Sequence, residues 1–125
     1  MKNTIRVLIA DDHTIVRIGL RTLLGAEKDI EVVGEAKNGE MAVKEALRLR
    51  PDVVIMDLMM PKKNGVQATL EILAENPDAK ILILTTFGTT DEVRQALDAG
   101  VSGVIVKDTL HEQLISAVRD AAAGK

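Results

Sequence analysis

The sequence predicts an α/β fold: one domain over residues 1–125, built as an open, doubly wound (βα)5 sheet of five parallel strands in the order 2-1-3-4-5. Three observations carry this. Five short runs, Ile5–Ala10, Ile30–Val33, Val53–Met56, Ile81–Leu84 and Gly103–Val106, are rich in β-branched residues and too short for free-standing helices, so they read as strands. Three of them are apolar almost throughout, as strands covered on both faces must be. The segments between them repeat apolar residues at helical period. Strict alternation of strand and helix dictates right-handed crossovers with helices on both faces, and 125 residues cannot supply the eight units of a closed barrel.

The first strand, Ile5–Ala10, leads into a helix marked by Ile15, Ile18, Leu23 and Leu24, and Gly25 falls where a left-handed cap is expected. After Ile30–Val33 comes a helix marked by Met41, Ala42, Ala46 and Leu49. Val53–Met56 precedes a third, with Val66, Leu70, Ile72 and Leu73. Ile81–Leu84 is followed by Thr89-Thr90-Asp91-Glu92, which reads as a capping box for a helix carrying Val93, Ala96 and Leu97 and closed by Gly100. Gly103–Val106 leads through a second box, Thr109-Leu110-His111-Glu112, into Leu110, Leu114, Ile115 and Val118. No internal repeat or Pro-rich linker interrupts this order, and only Ala121–Ala123 has low complexity.

Composition excludes several classes. With 46% hydrophobic residues the chain buries enough surface to fold, and no apolar run approaches the ~20 residues that span a bilayer. The amino end reaches Asp11 and Asp12 too soon for a secretory signal, so the expected location is the cytoplasm, away from membranes. Without cysteine there is no disulfide framework or thiolate metal site. The 16 basic residues are scattered against 19 acidic ones, for a net charge of −3. Direct binding of nucleic acid by this chain is therefore not expected, since tracking phosphates needs concentrated positive charge.

Ligands of open α/β sheets bind beyond the carboxyl ends of the strands, where strand order reverses. In the order 2-1-3-4-5 that point lies between the first and third strands, whose ends carry Asp11, Asp12 and Asp57. Three neighbouring carboxylates repel one another and call for a cation. Mg²⁺ suits them, since it takes one or two carboxylates, keeps several waters and is completed by phosphate oxygens. Thr85 and Lys107 end the fourth and fifth strands on the same edge, where a hydroxyl and an ammonium suit a phosphoryl group. Taken singly, Asp11 or Asp12 also reads as a helix cap, Thr85 as a strand-end hydroxyl and Lys107 as a solvated lysine. Asp57, directly after Val-Val-Ile-Met on a central strand, is costly there unless paired or bound. His13 reads as a residue at a helix start, because hard Mg²⁺ prefers oxygen. Neither a Gly-x-x-x-x-Gly-Lys loop nor a Gly-x-Gly-x-x-Gly turn is present. Phe87 is the only aromatic residue, too little to flank a flavin.

The pieces Ile9-Ala10-Asp11-Asp12-His13, Asp57-Leu58-Met59-Met60-Pro61 with Gly65, Leu84-Thr85-Thr86, and Ala99-Gly100-Val101-Ser102-Gly103 with Lys107-Asp108 together resemble the receiver domain of two-component response regulators. The stretch Asp11–Leu20 and Lys107-Asp108 look most like the NarL/LuxR subgroup. The resemblance spans the chain and implies a flavodoxin-like fold and a phosphoprotein of phosphorelay signalling. Asp57 would accept a phosphoryl group from a histidine kinase. Asp12 and Asp57 would ligate Mg²⁺ directly, Asp11 through water and Met59 through its backbone carbonyl, while Thr85 and Lys107 would hold phosphoryl oxygens. It further implies regulation of transcription through a C-terminal helix-turn-helix DNA-binding domain, which this chain lacks, and pairing into a homodimer on phosphorylation. The chain stops where the subgroup's linker begins, so it reads as an isolated receiver. It would not be an enzyme beyond catalysing its own phosphoryl transfer and loss.

Two positions depart from the family. Val104 stands where Tyr or Phe is usual three residues before the lysine, and Asp108 stands where Pro is usual after it. A phosphohydrolase of the haloacid-dehalogenase type would need an acid two residues after its nucleophile, and Met59 occupies that place. The alternative is a stand-alone or pseudo-receiver interaction module without an output domain. Such modules usually lack an acid or the lysine, and all are retained here.

Overall fold

The structure, a computed structural model, describes residues 4–86, 91–107 and 111–124. Its elements alternate as β1 (Ile5–Ala10), α1 (Thr14–Gly25), β2 (Ile30–Ala36), α2 (Gly39–Leu49), β3 (Val53–Asp57), α3 (Gly65–Glu75), β4 (Ile81–Thr85), α4 (Asp91–Ala99), β5 (Gly103–Val106) and α5 (His111–Ala122). The five strands form one sheet in the order β2-β1-β3-β4-β5, every neighbouring pair parallel. This is the predicted doubly wound fold.

Alternating side chains of the central strands feed two cores. Leu8, Val54, Met56 and Ile83 pack with Ala42, Ala68, Ile72 and Ala96 of α2, α3 and α4. Val7, Ile9, Ile55 and Leu84 pack on the opposite face with Leu24 of α1 and Leu114 and Val118 of α5. Burial on both sides explains why these strands read as unbroken apolar runs. No helix among the described residues is long and apolar enough to cross a membrane.

Several local expectations are corrected. β2 continues three residues past Val33, because Gly34, Glu35 and Ala36 still pair with β1 despite their weak strand character. Gly25 belongs to α1, and the next residue, Ala26, is right-handed (φ −75°), so no left-handed cap forms there. Gly100 does take positive φ (107°), as does Arg50 at the end of α2 (46°). Ile15, Ile18, Leu70 and Leu97 point outward; on α1 the packed residues are Leu20, Leu23 and Leu24. On α5 the small and apolar residues Val118 and Ala121 are buried, so of the apolar residues on the first and fifth helices that could meet a second copy Ile18 is exposed and these two are not. The expected capping boxes at Thr89 and Thr109, together with Phe87, Gly88, Leu110 and Asp108, lie wholly or partly outside the described residues. A full capping box does form at α3, between Asn64 and Gln67.

Candidate functional site

Strand pairing brings the predicted residues to one edge of the sheet. Asp57 is the last residue of β3 and pairs with Leu84; Thr85 ends β4 beside Val106, and its carbonyl accepts the Lys107 N–H at 2.8 Å. Asp11 follows β1, with its N–H donated to the Ala36 carbonyl of β2 at 3.0 Å. The α1 N-cap is His13, whose side chain makes no capping bond. Asp11 instead folds back on its own turn, where its Oδ1 accepts the His13 N–H at 2.8 Å and lies 3.0 Å from the His13 Nδ1. Asp12 Oδ1 lies 3.1 Å from the same nitrogen. One ligand atom each from Asp11, Asp12, His13 and Asp57 falls within 4.8 Å of all the others. His13 therefore starts the helix, as expected, yet its ring also stands among the acids.

Lys107 closes the cluster. Its Nζ donates to Asp57 Oδ2 at 3.3 Å and pairs with Asp11 Oδ2 at 3.2 Å, the second contact lacking the direction of a hydrogen bond. Asp57 Oδ1 accepts the Met59 N–H at 3.3 Å. Burial pushes the Asp57 pKa above the ordinary carboxylate value and the charge of Asp11 adds to it, against the opposing pull of Lys107 and the Met59 amide. For Lys107 burial alone would lower the pKa, but the attraction of Asp57 and Asp11 outweighs it and the net direction is upward.

The loop after β3 is held by backbone contacts. Gly65 donates its N–H to the Leu58 carbonyl at 2.7 Å, and a Cβ there would stand 2.7 Å from the Asp57 carbonyl oxygen and 2.9 Å from the Leu58 Cα. Only glycine lets α3 begin this close to the acid. Above Asp57 opens a cleft of about 280 Å³ lined by His13, Asp57, Leu58, Met59, Thr85, Thr86, Glu92 and Lys107. Two members of this region were not legible in the sequence. The sequence marks Glu92 only as a capping residue, and Arg17, which donates to the Asp11 carbonyl at 2.6 Å, only as part of a motif.

The donor set fits a hard cation. Three carboxylates converge, and the buried oxygens Asp11 Oδ2 and Asp12 Oδ1 have nitrogen neighbours, Lys107 Nζ at 3.2 Å and His13 Nδ1 at 3.1 Å, but no aligned hydrogen bond, a shortage that a metal such as Mg²⁺ would meet. An acid cluster with a threonine and a lysine thus stands at the point where the strand order of the sheet reverses. The chain belongs to the response regulator receiver domain family, which its residues 7–119 match. It is 45% identical over 122 residues to the response regulator protein VraR of Staphylococcus aureus, covering 98% of this chain and 58% of that protein. The chain thus spans a little over half the length of the curated relatives it matches. Among solved structures it is similar to the signal receiver domain of NarL from Mycobacterium tuberculosis (TM-score 0.93, 30% identity, 98% of this chain and 99% of that one). It is also similar to a LuxR-family two-component response regulator from Aurantimonas (TM-score 0.92, 34% identity, 98% and 87%).

Proposed function

We propose that this receiver is a phosphorylation switch in which Asp57 takes a phosphoryl group from the phosphohistidine of a kinase and thereby alters protein contacts. The observation that carries the reading is the buried Asp57 carboxylate, held 3.3 Å from Lys107 Nζ at the floor of a cleft that also presents Thr85. An Asp57 carboxylate oxygen attacks phosphorus and forms the acyl phosphate; the phosphorus–nitrogen bond breaks and its electron pair returns to the imidazole, which takes up a proton. Lys107 stays paired with charge throughout, first with the carboxylates and then with a phosphoryl oxygen, and the Thr85 hydroxyl donates to another. Asp11, Asp12, Asp57 and the Met59 carbonyl would hold Mg²⁺, which supplies charge screening between carboxylate and phosphate.

In this reading the domain catalyses only its own phosphorylation and dephosphorylation, works in the cytoplasm, and controls transcription through a C-terminal DNA-binding domain in the full-length protein. The likeness to a LuxR-family response regulator supports that output. Pairing of phosphorylated copies rests on the exposed Ile15 and Ile18 of α1; light scattering with and without beryllofluoride should reveal it as a mass increase. The decisive experiment is intact-mass measurement after incubation with Mg²⁺ and a small phosphodonor. Wild type should gain about 80 Da, the mass of one phosphoryl group, and Asp57→Asn nothing. No gain in wild type would favour the pseudo-receiver reading, and a gain in the variant would place the nucleophile elsewhere.

A further inference from the structure

The pairing of β1 with β2 breaks register once. Val7 pairs with Val32 but Leu8 with Gly34, so Val33 is the extra residue of a bulge. One extra residue reverses the face taken by every later side chain. Ile30 and Val32 pack on the side of α1 and α5. Beyond the bulge Ala36 packs on the opposite side, and a Cβ on Gly34 would meet Leu49 of α2. Glu35 is thereby turned toward α1, where its Oε1 accepts Arg17 Nε at 3.2 Å and its Oε2 accepts Arg21 Nη1 at 2.6 Å. In an unbroken strand the same carboxylate would face α2.

Arg17 carries this placement into the site. Its side chain is 16% exposed, and while Nε is held by Glu35, Nη1 donates to the Asp11 carbonyl oxygen at 2.6 Å. That oxygen belongs to the rigid peptide plane joining Asp11 to Asp12, so fixing it fixes how the two carboxylates diverge. The planar guanidinium suits such two-sided bonding.

We propose that Arg17 is a positioning residue of the metal site, aimed by the bulge through Glu35, and that it sets Mg²⁺ affinity by holding the Asp11–Asp12 turn. This rests on the reading of the acid cluster as a Mg²⁺ site. The sign of the effect separates positioning from mere proximity. A cation behind an acidic cluster repels Mg²⁺, so deleting a bystander arginine would tighten binding or leave it unchanged. Deleting a positioning arginine should weaken it.

The test is calorimetric titration of the unphosphorylated chain with magnesium chloride, with thermal melting as a control on folding. Arg17→Met should raise the Kd roughly tenfold, the lower end of the effect seen when a group supporting a metal ligand is lost, and Arg17→Lys should recover part of that. Glu35→Gln should raise the Kd about two- to threefold, and the Arg17→Met, Glu35→Gln double variant no further than Arg17→Met alone, because Glu35 acts through Arg17. Arg21→Met removes an equal charge from the same glutamate without touching the Asp11 turn, and should stay within about twofold. If Arg17→Met melts early, Arg17→Lys, which keeps the charge but cannot bond Glu35 and the Asp11 carbonyl with the same planar fork, still carries the comparison by a raised Kd. A wild type that binds Mg²⁺ while Arg17 and Glu35 variants bind equally or more tightly overturns the positioning role alone. A wild type that binds no Mg²⁺ overturns it together with the metal reading.

Discussion

Lys107 Nζ lies 3.3 Å from Asp57 Oδ2, yet the lysine does not neutralise the cost of burying that acid. Asp57 has a pKa above its ordinary value in the folded protein, so the fold binds this proton more tightly than the unfolded chain does. The contribution favours folding below the ordinary carboxylate range and is lost as pH rises through the folded-state pKa. At neutral pH and without Mg²⁺, ionised Asp57 is therefore a net burden. Asp57→Asn should raise Tm by a few degrees at pH 7, where about 1 kcal/mol corresponds to roughly 4 °C in a domain of this size. The gap should shrink as pH falls toward the carboxylate range. A lower Tm for the variant at pH 7 would mean that attraction to Lys107 dominates.

The aspartyl phosphate should be comparatively long-lived. Hydrolysis needs a water in line with phosphorus, and Met59, which lines the cleft and is 64% exposed, offers it no hydrogen bond. Phe87, two residues after Thr85 and likewise without a hydrogen-bonding side chain, lies outside the described residues. Met59→Asn should speed loss of the phosphoryl group roughly three- to tenfold, a fraction of the ~10²-fold that a well-placed proton acceptor supplies. Dephosphorylation no faster than wild type would remove the support for this view.

Gly65 should tolerate no side chain. In Gly65→Ala the new methyl would press on the backbone of Asp57 and Leu58, which cannot rotate away as a side chain can. A loss of about 1–3 kcal/mol is expected in urea unfolding, as for other overpacked positions, accompanied by slower phosphorylation as the Asp57 loop shifts. Unchanged stability would show that α3 can slide outward freely.

Signal transmission should run from Thr85 into Thr86 and residues 87–90 and not through β5. Val104, partly buried against the core shared with α4, is too short and too stiff at χ1 to move as an aromatic ring would. Backbone amide shifts induced by beryllofluoride should be large from Thr85 to Thr90 and should survive Val104→Ala. Changes centred on Val104, or abolished by that substitution, would place the signal in the fifth strand.

What could be read directly from the sequence follows from what each signal depends on. Strand order and the meeting of Asp11, Asp12, Asp57, Thr85 and Lys107 rest on short apolar runs and on their alternation with helices, both of which local sequence records. Asp57 was marked by its cost after four buried residues. The bulge at Val33 left no such mark, because it depends on how two strands align, and without it the direction of Glu35 could not be assigned. Arg17 was hidden for the same reason, since its partners lie on β2 and in the turn after β1. Ile15 and Ile18 misled because helical period alone does not say which of two overlapping stripes faces the sheet.

The sheet ends in β2 on one side and β5 on the other. An exposed strand rim invites another chain to add to it, and both rims here are poor templates. β5 is only four residues long, and the extra residue in β2 interrupts an even ladder midway along the strand. Adding another strand to either rim is therefore unfavourable, so the same kink that orients Glu35 also guards this domain against edge-to-edge aggregation at high concentration.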